Sequence, residues 1–214
     1  MTALVTPPVT VLDWTSHEPN PPPKLHNPDG TWRYRPTPGR GVYVREPKSV
    51  DGICVHQTAC WYGPANDPQA KHERAFGVPI HAMAFADGNL VLPYPALWYL
   101  FHGNGWNSRS LGIEIEGKYD DGPDRMTDLA VATARQGITE LVTRGRALGC
   151  PITYVWAHRQ STGDRRDDPG REIWQRVVLE HAVAVLGLVP QQAATLKDGR
   201  PIPTTWDPNG VGPF

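Results

Sequence analysis

The sequence predicts an α/β domain, a single mixed central β-sheet flanked by helices, and three observations carry that expectation. Apolar runs at 53–55, 80–85, 89–92, 113–115 and 152–156 have the length and composition of short strands. Two other stretches, one starting near Thr127 and one following Pro169, place apolar residues at helical spacing. The resulting order of strand, helix, hairpin, strand, long helix, strand and helix is that of a sheet packed against helices.

Taken in order, residues 1–47 hold ten of the 23 prolines, a density incompatible with regular helix or a central strand. This segment is read as an extended arm, with Thr31 to Arg35 (TWRYR) a short edge strand packed on the domain or part of a polymer-binding wall. A central domain follows over 48–189. Its first strand, Gly52 to His56, delivers His56 at its end, and Asn66 to Phe76 resembles a short surface helix. His72 and Glu73 in that helix lack the second histidine of a helical zinc motif and receive no metal role. Ile80 to Phe85 and Asn89 to Leu92 form a hairpin around Ala86-Asp87-Gly88, with His81 at its start.

The aromatic and glycine-rich stretch from Trp98 to Trp106 carries His102 and leads through Asn107 into a strand containing Glu114 and Glu116. Side chains alternate along a strand, so both carboxylates share one face and Ile113 and Ile115 the other. Two carboxylates so placed need either water or a site. Thr127 is a good N-cap for a long helix with Ala130, Ala134, Ile138 and Leu141 on its apolar face, closing at Gly149 before Pro151. In the last helix Ile173, Trp174, Val177, His181 and Val185 recur at helical spacing, and residues 190–214 form a Pro/Gly-rich tail that either wraps the domain or stays mobile.

Length and charge narrow the possibilities. At 214 residues the chain suits one domain with extensions. A formal net charge of -1 gives no electrostatic case for nucleic acid or for an anionic membrane surface. The longest apolar stretch, Ala182 to Val189, is too short to span a bilayer, and the N-terminus lacks the basic region of a secretory signal. Synthesis as a soluble cytoplasmic monomer is expected. Cys54, Cys60 and Cys150 are odd in number and irregularly spaced, which reads as reduced, mostly buried thiols.

The densest chemistry lies in Val155 to Trp174 (VWAHRQSTGDRRDDPGREIW). His158 ends a strand, and Asp168 precedes the Pro-Gly that opens a helix, so the two are plausible neighbours although ten positions apart. An imidazole and a carboxylate converging in this way are two ligands of a three-ligand catalytic zinc site, whose fourth position is left to water. The same Asp-Pro-Gly is also an ordinary helix start with Asp168 as N-cap. A third ligand must come from elsewhere, and a cysteine, Cys54 or Cys60, is one alternative.

The segments ICVHQT, IHAMAFADGNLV, FHGNGWNSRSLGIEIEG and AHRQSTGDRRDDPG, in this order over about residues 50–187, resemble the type 2 N-acetylmuramoyl-L-alanine amidases, which include peptidoglycan-recognition proteins and phage amidase endolysins. The resemblance implies one Zn2+ held by His56, His158 and Asp168, with Glu114 as general base. It places His81, His102 and Asn107 along the substrate cleft. Ile80 stands where one branch has a catalytic tyrosine, which throws the burden onto Glu114. Arg166 stands where many members have lysine, and either it or His102 would steady the oxyanion. The implied reaction is hydrolysis of the amide between N-acetylmuramic acid and L-alanine in peptidoglycan. A phage or prophage endolysin released through a holin is the expected setting, with a cytoplasmic muropeptide-recycling amidase or a non-catalytic peptidoglycan-binding module as alternatives.

Overall fold

The computed structural model describes residues 8–15, 44–62, 71–119, 125–191 and 199–208. These form seven strands, β1 (Thr10–Asp13), β2 (Gly52–Gln57), β3 (Ala82–Ala84), β4 (Asn89–Leu92), β5 (Ser110–Ile115), β6 (Tyr154–Ala157) and β7 (Val189–Pro190). They make one sheet in the order β1-β4-β3-β5-β2-β6-β7. Among these seven strands the β3–β4 hairpin is antiparallel and the other pairings are parallel. The sheet is thus mixed, as the alternation of strands and helices predicts. β2 lies between β5 and β6 with all its residues buried, which is why its sequence is apolar on both faces up to its last two residues.

Helix α1 (Asp128–Ala147) begins where Thr127 predicts, its side chain accepting the Ala130 amide at 3.1 Å. It ends before Gly149, whose φ of 88° is the left-handed conformation of a helix stop. Ala130, Ala134, Ile138 and Leu141 pack with Ile53, Val55, Leu111, Ile113 and Val155 in the main core. Gly137 allows this close approach, because a Cβ there would lie 2.5 Å from Ile113 Cδ1. Helix α2 starts with Arg171–Ile173 and continues as a wider π-helix over Trp174–Val183. Trp174, Val177, Val178 and Ala182 join the same core, so both long helices of the described residues cover one face of the sheet.

Strand parity then decides what the other face carries. Ile53 and Val55 point to the helices, so Cys54 and His56 point away, as do Gly112, Glu114 and Trp156 on the neighbouring strands. Part of that face is sealed by Cys54, Trp106 and Trp156, the two indoles stacked at 4.6 Å. Another part is sealed by Ala75, Ile80, Met83, Phe85 and Val91. Between these patches the face is polar.

Two expectations are revised, and the tail, read as either wrapping the domain or staying mobile, is seen in part. The stretch read as a surface helix turns inward where it is described: Lys71, His72 and Glu73 are buried, the last opening a 3-10 helix over Glu73–Gly77. Lys71 can be buried because Glu116 and Asp87 carboxylates meet its ammonium at 2.9 and 3.0 Å. The last helix begins at Arg171 rather than after Asp168, because the Asp168 side chain is turned to β2 and to His158 and caps nothing; Val185 falls beyond its end. The tail is partly built into the domain. β7 pairs with β6, the Arg200 amide donates to the Arg159 carbonyl at 2.8 Å, and Ile202 and Trp206 are buried, Trp206 beneath the Arg159 guanidinium. Thr31 to Arg35 lies outside the described residues.

Candidate metal centre

The polar region gathers at the C-terminal ends of β2, β5 and β6, on the face away from the helices. His56 stands near the end of β2, and its register partner on β5 is Glu114. His158 is the first residue after β6, in a 3-10 turn, His158–Gln160. That turn is held by Gln160, whose side-chain oxygen accepts the Ala157 amide at 2.8 Å, and by Ser161, whose hydroxyl donates to the His158 carbonyl at 2.8 Å.

Asp168 reaches the same place from the following loop. Its Oδ2 lies 2.8 Å from His158 Nδ1, and its Oδ1 accepts the Gln57 amide at 2.9 Å. The Gln57 side chain completes the clamp, donating to the Asp167 carbonyl at 2.6 Å and accepting the Tyr119 amide at 2.7 Å. The residue directly after His56 therefore fixes the loop that carries Asp168. The rings of His56 and His158 stand 4.3 Å apart, and the ligand atoms of His56, His158 and Asp168 lie within 4.8 Å of one another, all buried.

A second set of potential ligands, Cys54, His56 and His102, meets the same distance limit. The two differ in access. Cys54 is fully buried against Trp106 and Trp156 and does not border the cavity at the cluster. The side chains of His56, His158 and Asp168 border a cavity, which leaves room for the open position that a hydrolytic metal needs. Burial, reinforced by His158 and His102, holds His56 well below the usual histidine range and hence neutral, as a metal ligand must be. Two imidazoles and a carboxylate therefore fit a zinc ion, and the cysteine set does not.

Glu114 borders the same cavity. Burial raises its carboxyl well above the usual carboxylate range, the Asp168 charge adds to this, and Arg165 opposes it. Tyr62, also on the cavity, is pushed up to about 12 by burial and then by Cys60, Glu114 and Glu116, so it remains a phenol able to donate. Glu116, two residues along, does a different job. Its carboxylate accepts the Tyr62 and Ala86 amides, both at 2.9 Å, and pairs with Lys71.

The remaining sequence candidates separate. Arg165, not Arg166, borders the cavity with His56, Glu114, His158 and Asp168; Arg166 lines a neighbouring depression that Arg165 and Asp168 border as well. His102 borders the first cavity too, and with Asn107 it borders a second, polar cavity that shares Phe101, His158 and Arg165 with the first. Their polar groups, however, are used inside the protein. His102 Nδ1 lies 3.1 Å from His56 Nε2 and its Nε2 faces the Ser110 carbonyl at 3.4 Å, while Asn107 Oδ1 accepts the amides of His102 at 2.9 Å and Gly103 at 2.6 Å.

His81 departs from the cleft altogether. It is buried, its Nδ1 accepts the Gly112 amide at 2.9 Å, and its Nε2 donates to the Trp98 carbonyl at 3.0 Å. It lines neither of the two cavities at the cluster, because it sits at the start of β3 rather than at a strand's C-terminal end. His72 faces Asp87, and His181 faces Thr139, both away from the cluster. Gln57, Arg165 and Tyr62 are the residues that sequence reasoning passed over. Adjacency to His56 and to Arg166 was the available signal for the first two.

Comparison with known proteins bears on this arrangement. The family described as N-acetylmuramoyl-L-alanine amidase matches residues 46–171, more than half of the chain. Among solved structures, the Ph2119 endolysin from Thermus scotoductus MAT2119 bacteriophage Ph2119 is similar with a TM-score of 0.52 at 17% identity, over 79% of this chain and 97% of that one. Wild-type Drosophila PGRP-LB gives 0.52 at 15% identity, over 85% of this chain and 96% of that one. Bumblebee PGRP-SA gives 0.51 at 13% identity, over 77% and 90%. At such identities the likeness is one of fold. No curated protein sequence matches the chain.

Proposed function

Because the chain belongs to the N-acetylmuramoyl-L-alanine amidase family, we propose that it is a zinc-dependent hydrolase of peptidoglycan that cleaves the amide between the lactyl group of N-acetylmuramic acid and L-alanine. The observation that carries this reading is the convergence of His56, His158 and Asp168 on a cavity that Glu114 also borders. A zinc ion bound by the three residues would supply Lewis acidity to the attacking water and the scissile carbonyl. The chain's own residues do the rest.

Glu114 takes the proton of the attacking water on its carboxylate and returns it to the leaving nitrogen of L-alanine. Its raised proton affinity suits the first transfer, and a cation held by the three ligands would lower that affinity toward the range in which Glu114 starts ionised and can give the proton up again. The Gln57 amide keeps Asp168 turned toward His158. Arg165 places a guanidinium on the cavity, where negative charge develops on the carbonyl oxygen. The oxyanion role expected of Arg166 is therefore assigned to Arg165. Lysis is proposed as the setting, in line with the endolysin among the proteins of similar fold.

Mass spectrometry of digested sacculi tests the reaction. Free stem peptides beside intact glycan support it. Unchanged sacculi would make the protein a binding module, and cuts inside the peptide would make it a peptidase. Loss of turbidity on permeabilised cells, against turnover of soluble anhydro-muropeptides, separates lysis from recycling.

A further inference from the structure

We infer that His102 is a positioning residue for the metal centre: by accepting the Nε2 proton of His56, it fixes the tautomer that leaves His56 Nδ1 free to bind metal. The inference rests on the reading of His56 as a ligand and adds a partner behind it.

Proton positions follow from the contacts. His102 Nε2 faces the Ser110 carbonyl at 3.4 Å, and a carbonyl only accepts, so Nε2 carries the proton. In a neutral ring Nδ1 is then the acceptor. The atom 3.1 Å from it is His56 Nε2, which must therefore be the donor. A neutral His56 protonated at Nε2 has one lone pair left, on Nδ1. Ligating histidines generally need such a partner, since it sets ring orientation and raises ligand basicity.

The surroundings of His102 are built to hold it there. Asn107 Oδ1 accepts two successive amides, those of His102 and Gly103, and so fixes the backbone that presents the ring. The ring lies against Gly112 of β5, where a Cβ would come within 2.6 Å of His102 Nδ1. Ser110, which receives the far end of the chain of hydrogen bonds, is itself anchored: its carbonyl accepts Arg45 Nη1 at 2.6 Å and its hydroxyl donates to the Trp106 carbonyl at 2.8 Å. The path from Ser110 through His102 to His56 is thus continuous, and both ring nitrogens of His102 are committed to it.

Three variants test the role through zinc affinity, measured by chelator competition, and through KM of the zinc-saturated enzyme. Asn places its amide oxygen near the position of Nδ1, Gln near that of Nε2, and Phe keeps a ring without an acceptor. His102→Phe is expected to weaken zinc binding by about ten- to a hundredfold. His102→Gln should weaken it nearly as much, His102→Asn only a few-fold, and KM should stay near wild type in all three. Equal affinities for the Asn and Gln variants would overturn the inference, and that comparison stands even if the Phe variant fails to fold. A rise in KM with unchanged zinc affinity would also overturn it, by making His102 a substrate contact. Failure of the underlying reading looks different: His56→Ala would then bind zinc as tightly as the wild type.

Discussion

The two carboxylates of the β5 segment should respond to the same substitution in opposite ways. Glu116→Gln removes a buried charge that accepts two amides at 2.9 Å and pairs with Lys71 at 2.9 Å. A glutamine oxygen can still accept one amide, but its NH2 then faces the other donor and the ammonium. Breaking a buried pair on one side costs about 3–5 kcal/mol, and hydrogen bonds to charged groups contribute about 1.5–3 kcal/mol each. Lys71 keeps Asp87 at 3.0 Å, which places the loss at the low end, about 3 kcal/mol. In a domain of this size that is a fall in Tm of roughly 6–12 °C. Glu114→Gln neutralises a carboxylate whose charge is already disfavoured by burial and by Asp168, so stability should hold or rise. Its turnover should fall by about a hundredfold or more with zinc still bound. Urea unfolding at constant m value, run beside peptidoglycan turnover well below the Tm, reads both. A Glu116→Gln protein as stable as wild type but inactive would refute the division of labour.

Other outcomes follow from the same geometry. His56→Ala, His158→Ala and Asp168→Ala should each lose metal after dialysis, whereas His72→Ala and His181→Ala, whose partners are Asp87 and Thr139, should retain it; stoichiometric zinc in an Asp168→Ala protein would mean the site is misassigned. Arg165→Ala should lower the catalytic constant by roughly ten- to a hundredfold with zinc retained, and Arg166→Ala should leave it near wild type; steady-state kinetics decide, and the reverse order would return the role to Arg166. Metal-free protein should lose stability in acid. His81 is held well below its usual range by burial and then by Arg45, and His102 is held at about 3 by the same causes. The unfolded chain takes up these protons first, so stability is full above about pH 6.5 and drains as pH falls from there toward 3. Urea midpoints that stay flat between pH 7 and 4 would contradict this.

Much of the scaffold was legible because its causes are local. The apolar run of β2, the Thr127 cap and the Gly149 stop each act within a turn or a strand, and alternation alone puts Glu114 on one face with Glu116. What escaped reading depends on contacts between distant segments. Nothing near Glu116 announces that Lys71 will neutralise it, so a structural carboxylate and a cavity carboxylate look alike in sequence. Which of two adjacent arginines faces the cavity is decided by the clamp of Gln57 on Asp167 and Asp168, made across more than a hundred positions. A histidine near a cluster also looks like a cleft residue until its partners are known, as His81 shows with Gly112 and Trp98. β7, two residues long, exists only because β6 offers an edge.

The parallel pairing of β2 with β6 sets Val55 opposite Ala157, one residue short of the two histidines. Side chains change face at every step, so a slip of one residue in β2 would turn His56 toward α1, among Ile53-like neighbours that offer no ligand. An ion that demands His56, His158 and Asp168 together can be satisfied by one alignment only. The same slip would take Ile53 and Val55 out of the core, so the binding energy of such an ion would add to a preference for this register that the buried face of β2 already imposes.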